Sequence, residues 1–159
     1  MTTPSQTEIV IRAQQNMRLL EQLAVEREFA ARVLLDAPAV PTVSGLVAAV
    51  GALEDAFAET NTLGFIHARP GWASVAAQAL LLRGSGSVLK TPMGHTWVFG
   101  GGYVAGLGNK LVATSPTLGW RGEVATRTAV KPEANRFTAV AERSVLVGYE
   151  SAVAQVTVS

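Results

Sequence analysis

Val10, Ala13, Met17, Leu20 and Ala24 recur at spacings of three and four, and Val25, Phe29 and Val33 carry the stripe on after a small drift. This is the period of an amphipathic helix. Ser5 or Thr7 can cap its start, and Pro38 and Pro41 stop it. The spacing predicts a helix over residues 6–35, with Glu21, Glu26, Arg27 and Arg32 on its other faces. At 1.5 Å per residue it would run about 40 Å, longer than a compact domain of this size needs. Such a helix is either a spine on which the fold is hung or a coiled-coil arm.

A Pro-containing connector follows over residues 37–44. Leu46, Val50, Leu53 and Phe57 then share one stripe of a second helix over residues 44–59, which Asn61 and Gly64 end. The short apolar run 63–68 reads as a buried strand. Pro70 opens a third helix carrying Trp72, Val75, Ala76, Ala79 and Leu80 and ending near Arg83. From there the pattern turns to strands. Residues 87–91 and 95–99 form a hairpin about Pro92-Met93-Gly94, and Gly100-Gly101-Gly102 turns the chain sharply. Residues 104–116 read as a loop of small residues, 117–130 as a strand interrupted near Gly122, 136–147 as the longest strand and 152–158 as the last. Helices first and an antiparallel sheet later make an α+β fold.

Composition narrows the chemistry. The 159 residues hold 13 Lys+Arg against 12 Asp+Glu, two histidines and no cysteine. One domain is expected. A disulfide framework, an iron–sulfur cluster, thiolate zinc and a cysteine nucleophile are excluded, and no cofactor or metal is expected. The charged fraction is 16%, against about 25% in an ordinary soluble domain, which favours a surface covered by other subunits. Residues 1–60 carry four basic and eight acidic groups, and residues 61–159 nine and four. Halves of opposite charge can steer copies together head to tail. The uncharged run between Lys90 and Lys110 contains Pro92, His95 and six glycines, so it is no membrane helix.

The glycines from Gly100 to Gly108 lack the Gly-Lys-Ser/Thr ending of a phosphate loop and the following helix of a dinucleotide fingerprint. Backbone geometry is the simpler reason for them. There is no Gly-x-Ser-x-Gly elbow. His67 lies in an apolar strand and His95 begins a hairpin strand, where structural roles are commonest. Asp36 and Asp55 are the only aspartates and suggest no paired-carboxylate site. The basic residues of the second part are scattered and not interleaved with Trp72, Trp97 and Trp120, unlike a nucleic-acid surface.

Several segments in order carry a resemblance. They are Leu20-Glu21 with Val25-Glu26-Arg27-Glu28-Phe29, Leu53-Glu54, Gly64-Phe65-Ile66-His67-Ala68-Arg69-Pro70 and Leu89-Lys90-Thr91-Pro92-Met93-Gly94. After them stand Val98-Phe99-Gly100-Gly101-Gly102-Tyr103, Asn135-Arg136-Phe137 and Ala141-Glu142-Arg143. This order resembles the major capsid proteins of tailed bacteriophages, particularly of actinobacterial hosts, whose fold is shared with encapsulin nanocompartments. The resemblance implies a spine helix (6–35), an axial-type domain (42–116) and a peripheral-type β region (117–159) packing on the spine. It implies a structural, non-enzymatic subunit that forms pentamers and hexamers and closes an icosahedral shell around DNA without sequence-specific contact. The place of work would be the virion, assembled in the host cytoplasm. Loops 84–87 and 102–116 become the tip or inter-subunit loops. The subunit-contact candidates are Arg27, Arg69, Trp72, Gly84, Ser85, Gly101, Gly102, Tyr103, Asn109 and Lys110. The family's N-terminal arm and extended loop have no counterpart before the spine, so other capsid subunits are expected to supply that clasp.

The competing expectation is a small ligand-binding or enzymatic α+β domain with a pocket built from His67, His95 and the glycines around Gly101. Another phage head or tail component is a further alternative.

Overall fold

The computed structural model describes residues 5–159. It is an α+β chain in two compact units. The described residues of the first are 5–22 with Gly119–Leu146, and the second comprises Leu23–Leu118 with Val147–Ser159. The long helix α1 (Gln6–Asp36) contributes to both. Its start is a reciprocal cap: the Glu8 amide donates to Ser5 Oγ at 3.2 Å and the Ser5 amide to Glu8 Oε2 at 2.8 Å. Of the two expected caps, Ser5 does the work.

The second unit is built on a six-stranded sheet. Its strands are β1 (Phe65–Ala68), β2 (Arg83–Ser85), β3 (Val88–Lys90), β4 (Thr96–Phe99), β5 (Lys110–Thr114) and β10 (Ala152–Thr157), ordered β10-β5-β1-β4-β3-β2. Every neighbouring pair is antiparallel except β1 and β4. Register sorts the side chains. Ile66 stands beside Trp97 and Ala113, with Ala154 next to Ala113 and Val156 next to Leu111. These residues bury against Leu46, Ala49, Val50, Leu53 and Phe57 of α2 (Leu46–Glu59) and Ala76 of α3 (Gly71–Gln78). One residue along each strand, His67, Val98 and Val112 meet Phe29, Ala30 and Val33 of α1, together with Tyr103 and Leu107. Alternation across the pleat thus gives the sheet two helix-covered faces.

The expected hairpin about Pro92-Met93-Gly94 is present, with the Thr91 amide donating to His95 O and Gly94 at φ +95°. Two expectations need correction. Residues 104–116 are not a loop: a helical turn, α4 (Tyr103–Gly106), leads through Gly108 into β5, a buried central strand. Nor do residues 117–159 form one region, because the apolar run of β10 pairs with β5 in the main sheet. Gln155 of β10 also serves the end of α1, its Nε2 donating to Leu34 O at 2.9 Å and Ala37 O at 2.7 Å. Helix-terminal carbonyls need such donors.

The third helix ends earlier than expected, on Leu80 at φ +59°, with the Leu81 amide closing back on Ala76 O. Glycine normally takes this place, yet this leucine is 79% exposed. Leu80→Gly is therefore expected to raise stability by about 1 kcal/mol through relief of the left-handed backbone, read as a shifted urea midpoint.

In the first unit, β7 (Ala125–Lys131) and β8 (Arg136–Glu142) form an antiparallel hairpin around a 3-10 turn at Pro132–Ala134. A separate two-stranded pair is made by β6 (Leu118–Arg121) and β9 (Val145–Gly148), whose residues 119–121 and 145–146 belong to this unit. The long strand expected over 136–147 is thus broken between Glu142 and Val145, where the Gly122 amide donates to Ser144 O. Among the described residues, no helix is long and apolar enough to cross a membrane.

Candidate functional site

The glycine turn is where phosphate chemistry would have lain. The Gly102 amide donates to Glu26 Oε2 at 2.6 Å. A Cβ on Gly100 would stand 2.7 Å from the Glu26 carboxyl carbon, one on Gly102 would stand 2.5 Å from Glu26 Cβ and 2.7 Å from Leu23 O, and one on Gly106 would stand 2.7 Å from Ala30 Cβ. These glycines let the turn lie directly on α1. The groove they make is filled by the chain's own carboxylate, so Glu26 faces inward rather than occupying an outer face of the helix.

Beneath that turn His67 is buried. Its Nδ1 stands 3.1 Å from Tyr103 Oη and its Nε2 2.8 Å from Thr114 Oγ1, with the Phe29 ring at 4.9 Å. Both ring nitrogens are thereby served within the chain, and burial pushes the imidazole pKa down to about 3. The Tyr103 hydroxyl is pushed up by burial and by the Glu26 charge. His95 lies on the opposite face of the sheet, stacked on Phe57 at 4.0 Å and accepting the Gly64 amide on Nδ1 at 3.3 Å. Burial lowers its pKa too. A pocket shared by the two histidines is ruled out by this placement: they lie in different cores, and strand register put them there.

The contact candidates scatter. Gly102 and Tyr103 are buried inside the chain, and Lys110 Nζ donates to Gln155 Oε1 at 3.2 Å. The contacts of these three are internal, while Val104 of the same segment is exposed. Asn109 is exposed beside the Gly108 turn, and its carbonyl accepts the Val158 amide. Arg27 and Gly101 are exposed, and Gly84 and Ser85 lie in the edge strand β2. Arg69 and Trp72 come together, with the guanidinium 5.1 Å from the indole centroid and both half-buried.

The surface that sequence reasoning passed over is the first unit. Here Val10, Ala13 and Met17 are partly covered as expected, but the next covered position is Glu21, and Leu20 stands exposed. The reason is Arg143, which forks onto both Glu21 oxygens, with Arg121 Nε 3.9 Å away. This partner holds the Glu21 carboxyl below its usual range. Gln14 Nε2 adds a bond to Thr126 Oγ1 at 3.1 Å. No described residue of this unit is buried, while Leu19 is 75%, Val130 60% and Trp120 58% exposed. The i,i+4 spacing of Met17 and Glu21, together with the Arg143 at the strand break, is the signal that could have marked it. Glu21→Gln is expected to loosen this unit selectively. Hydrogen exchange should quicken for amides of β7 and β8 while those of β5 stay protected.

No family model, no curated protein and no solved structure matches this chain.

Proposed function

We propose that the chain is a structural subunit that associates with further copies into a closed protein shell, as in a tailed-phage capsid, enclosing DNA without sequence-specific contact. The observation that carries this reading is the first unit. A hairpin, a short strand pair and a helix segment without one buried described residue expose Ile11, Leu19, Leu20, Trp120, Val130 and Leu146. Apolar surface of this kind is ordinarily covered by partners. The low charged fraction and the order of the capsid-like segments support the same reading.

The test is the native mass of the purified chain by light scattering, with negative-stain images of the same sample. Closed particles of megadalton mass are expected. A monomer that persists as concentration is raised overturns the proposal.

A further inference from the structure

We propose that the tip of the β7–β8 hairpin of one copy docks on the C-terminal end of α2 in a second copy, Lys131 and Arg136 meeting Asp55 and Glu59. The inference rests on the self-association read above and names the surfaces that meet.

Each surface carries a like-charge pair, and on the hairpin tip Glu133, exposed in the turn between the two cations, offsets part of their repulsion. Lys131 and Arg136 face each other directly across the hairpin, and like charges in that position repel. Both are exposed and neither has an ion-pair partner among the described residues. On α2, Asp55 and Glu59 stand four residues apart on one face, also exposed and without ion pairs among the described residues. Like charges at that spacing repel as well. They lie in the last turn or so of a helix that has no basic residue there, where the macrodipole already disfavours anions. The same crowding reaches Glu54, whose carboxyl is pushed up by burial and further by Asp55, the Thr91 hydroxyl opposing.

The two surfaces complement each other in sign, and also in scale. Cross-strand neighbours stand about 5 Å apart, and i,i+4 neighbours on a helix about 5–6 Å. Two cations on a ribbon end therefore match two anions on a helix end, and joining them relieves both repulsions. Exposed apolar residues flank each pair, Val130 next to Lys131 and Leu63 just beyond Glu59. A second copy of this chain supplies both halves of the contact, and the repetition of the same contact from copy to copy is head-to-tail association.

Charge swapping tests it. Lys131→Glu with Arg136→Glu, and separately Asp55→Lys with Glu59→Lys, are expected to weaken association about tenfold or more with thermal melting little changed. The chain carrying all four substitutions should associate like the native protein. Native-like assembly of either reversed pair, or no recovery in the fourfold variant while native particles form, overturns the docking and leaves the shell reading standing. Failure of the native chain to associate overturns both. Because the chain has no cysteine, a second readout is independent of charge. Copies with Glu59→Cys mixed with copies with Arg136→Cys should give a disulfide-linked dimer on oxidation that neither gives alone. Particles that form without that product also overturn the docking.

Discussion

Gly64→Ala should lower the melting temperature by about 10 °C, the largest effect of any single methyl group added to this chain. A Cβ there would lie 2.0 Å from Thr114 O and 2.6 Å from Phe57 Cε1. Neither neighbour can yield. Thr114 is a buried central-strand residue whose carbonyl belongs to the backbone, and Phe57 is 1% exposed between α2 and the sheet. Gly64 is also fixed on both sides, its amide donating to His95 Nδ1 and its carbonyl accepting the Thr96 amide at 3.0 Å. Overpacking a dense core costs about 1–3 kcal/mol, and a clash with rigid backbone belongs at or above the upper end. At roughly 2–4 °C per kcal/mol for a chain of this length, that gives the stated shift. Gly51→Ala is the matched control. It lies inside α2 with nothing within 4 Å of its Cβ position, so it should gain up to about 1 kcal/mol from helix propensity. Melting of Gly64→Ala within two or three degrees (roughly 1 kcal/mol) of the native chain would refute the packing account.

Stability should fall steeply as the pH drops from 6.5 to 4. His67 is neutral in the fold because burial places its pKa near 3, while the unfolded chain takes up a proton near pH 6.5. Above that pH neither state binds the proton, and there is no effect. Below it the unfolded state gains the proton that the folded state refuses, so folding loses about 1.4 kcal/mol per pH unit. The loss reaches about 3 kcal/mol near pH 4 and stops growing once the folded state also protonates, close to pH 3. His95, lowered in the same sense, steepens the slope. Glu54 acts oppositely: its raised pKa makes the folded state bind its proton first, so its contribution rises as pH falls toward the carboxylate range. Glu21 and Asp36, held low by Arg143 and by Arg32 with Tyr149, lose their contributions only below about pH 4.5. In the interval from pH 6.5 to 5 the histidines set the loss, and Glu54 opposes it. Urea unfolding at pH 7 and pH 5 should differ by about 2 kcal/mol, and His67→Gln, though weaker at pH 7, should flatten the profile. Equal stability of the native chain at both pH values would refute the burial of a neutral His67.

Much of the fold follows from rules that reach only a few residues. Ser5 and Glu8 start α1 and Pro38 stops it. The stripe Leu46, Val50, Leu53 and Phe57 forms α2, Pro70 opens α3, and Pro92-Met93-Gly94 turns the β3–β4 hairpin. Each signal acts within about one helical turn or one reverse turn. The α+β class and the interruption of a strand at Gly122 are legible in the same way.

Tertiary structure decided the rest. Lys110–Thr114 is too short to show a period, and only its place between β1 and β10 makes it a central strand. The register of β1 and β4 sends His67 to α1 and His95 to α2. Glu21 turns inward because Arg143, 122 residues away, offers two donors. Gly100, Gly102 and Gly106 are glycine because α1 passes within one Cβ radius of their turn. Local propensity and capping act between near neighbours along the chain. Pairing, close approach and burial act between residues that chain connectivity does not order, so only the folded arrangement selects them.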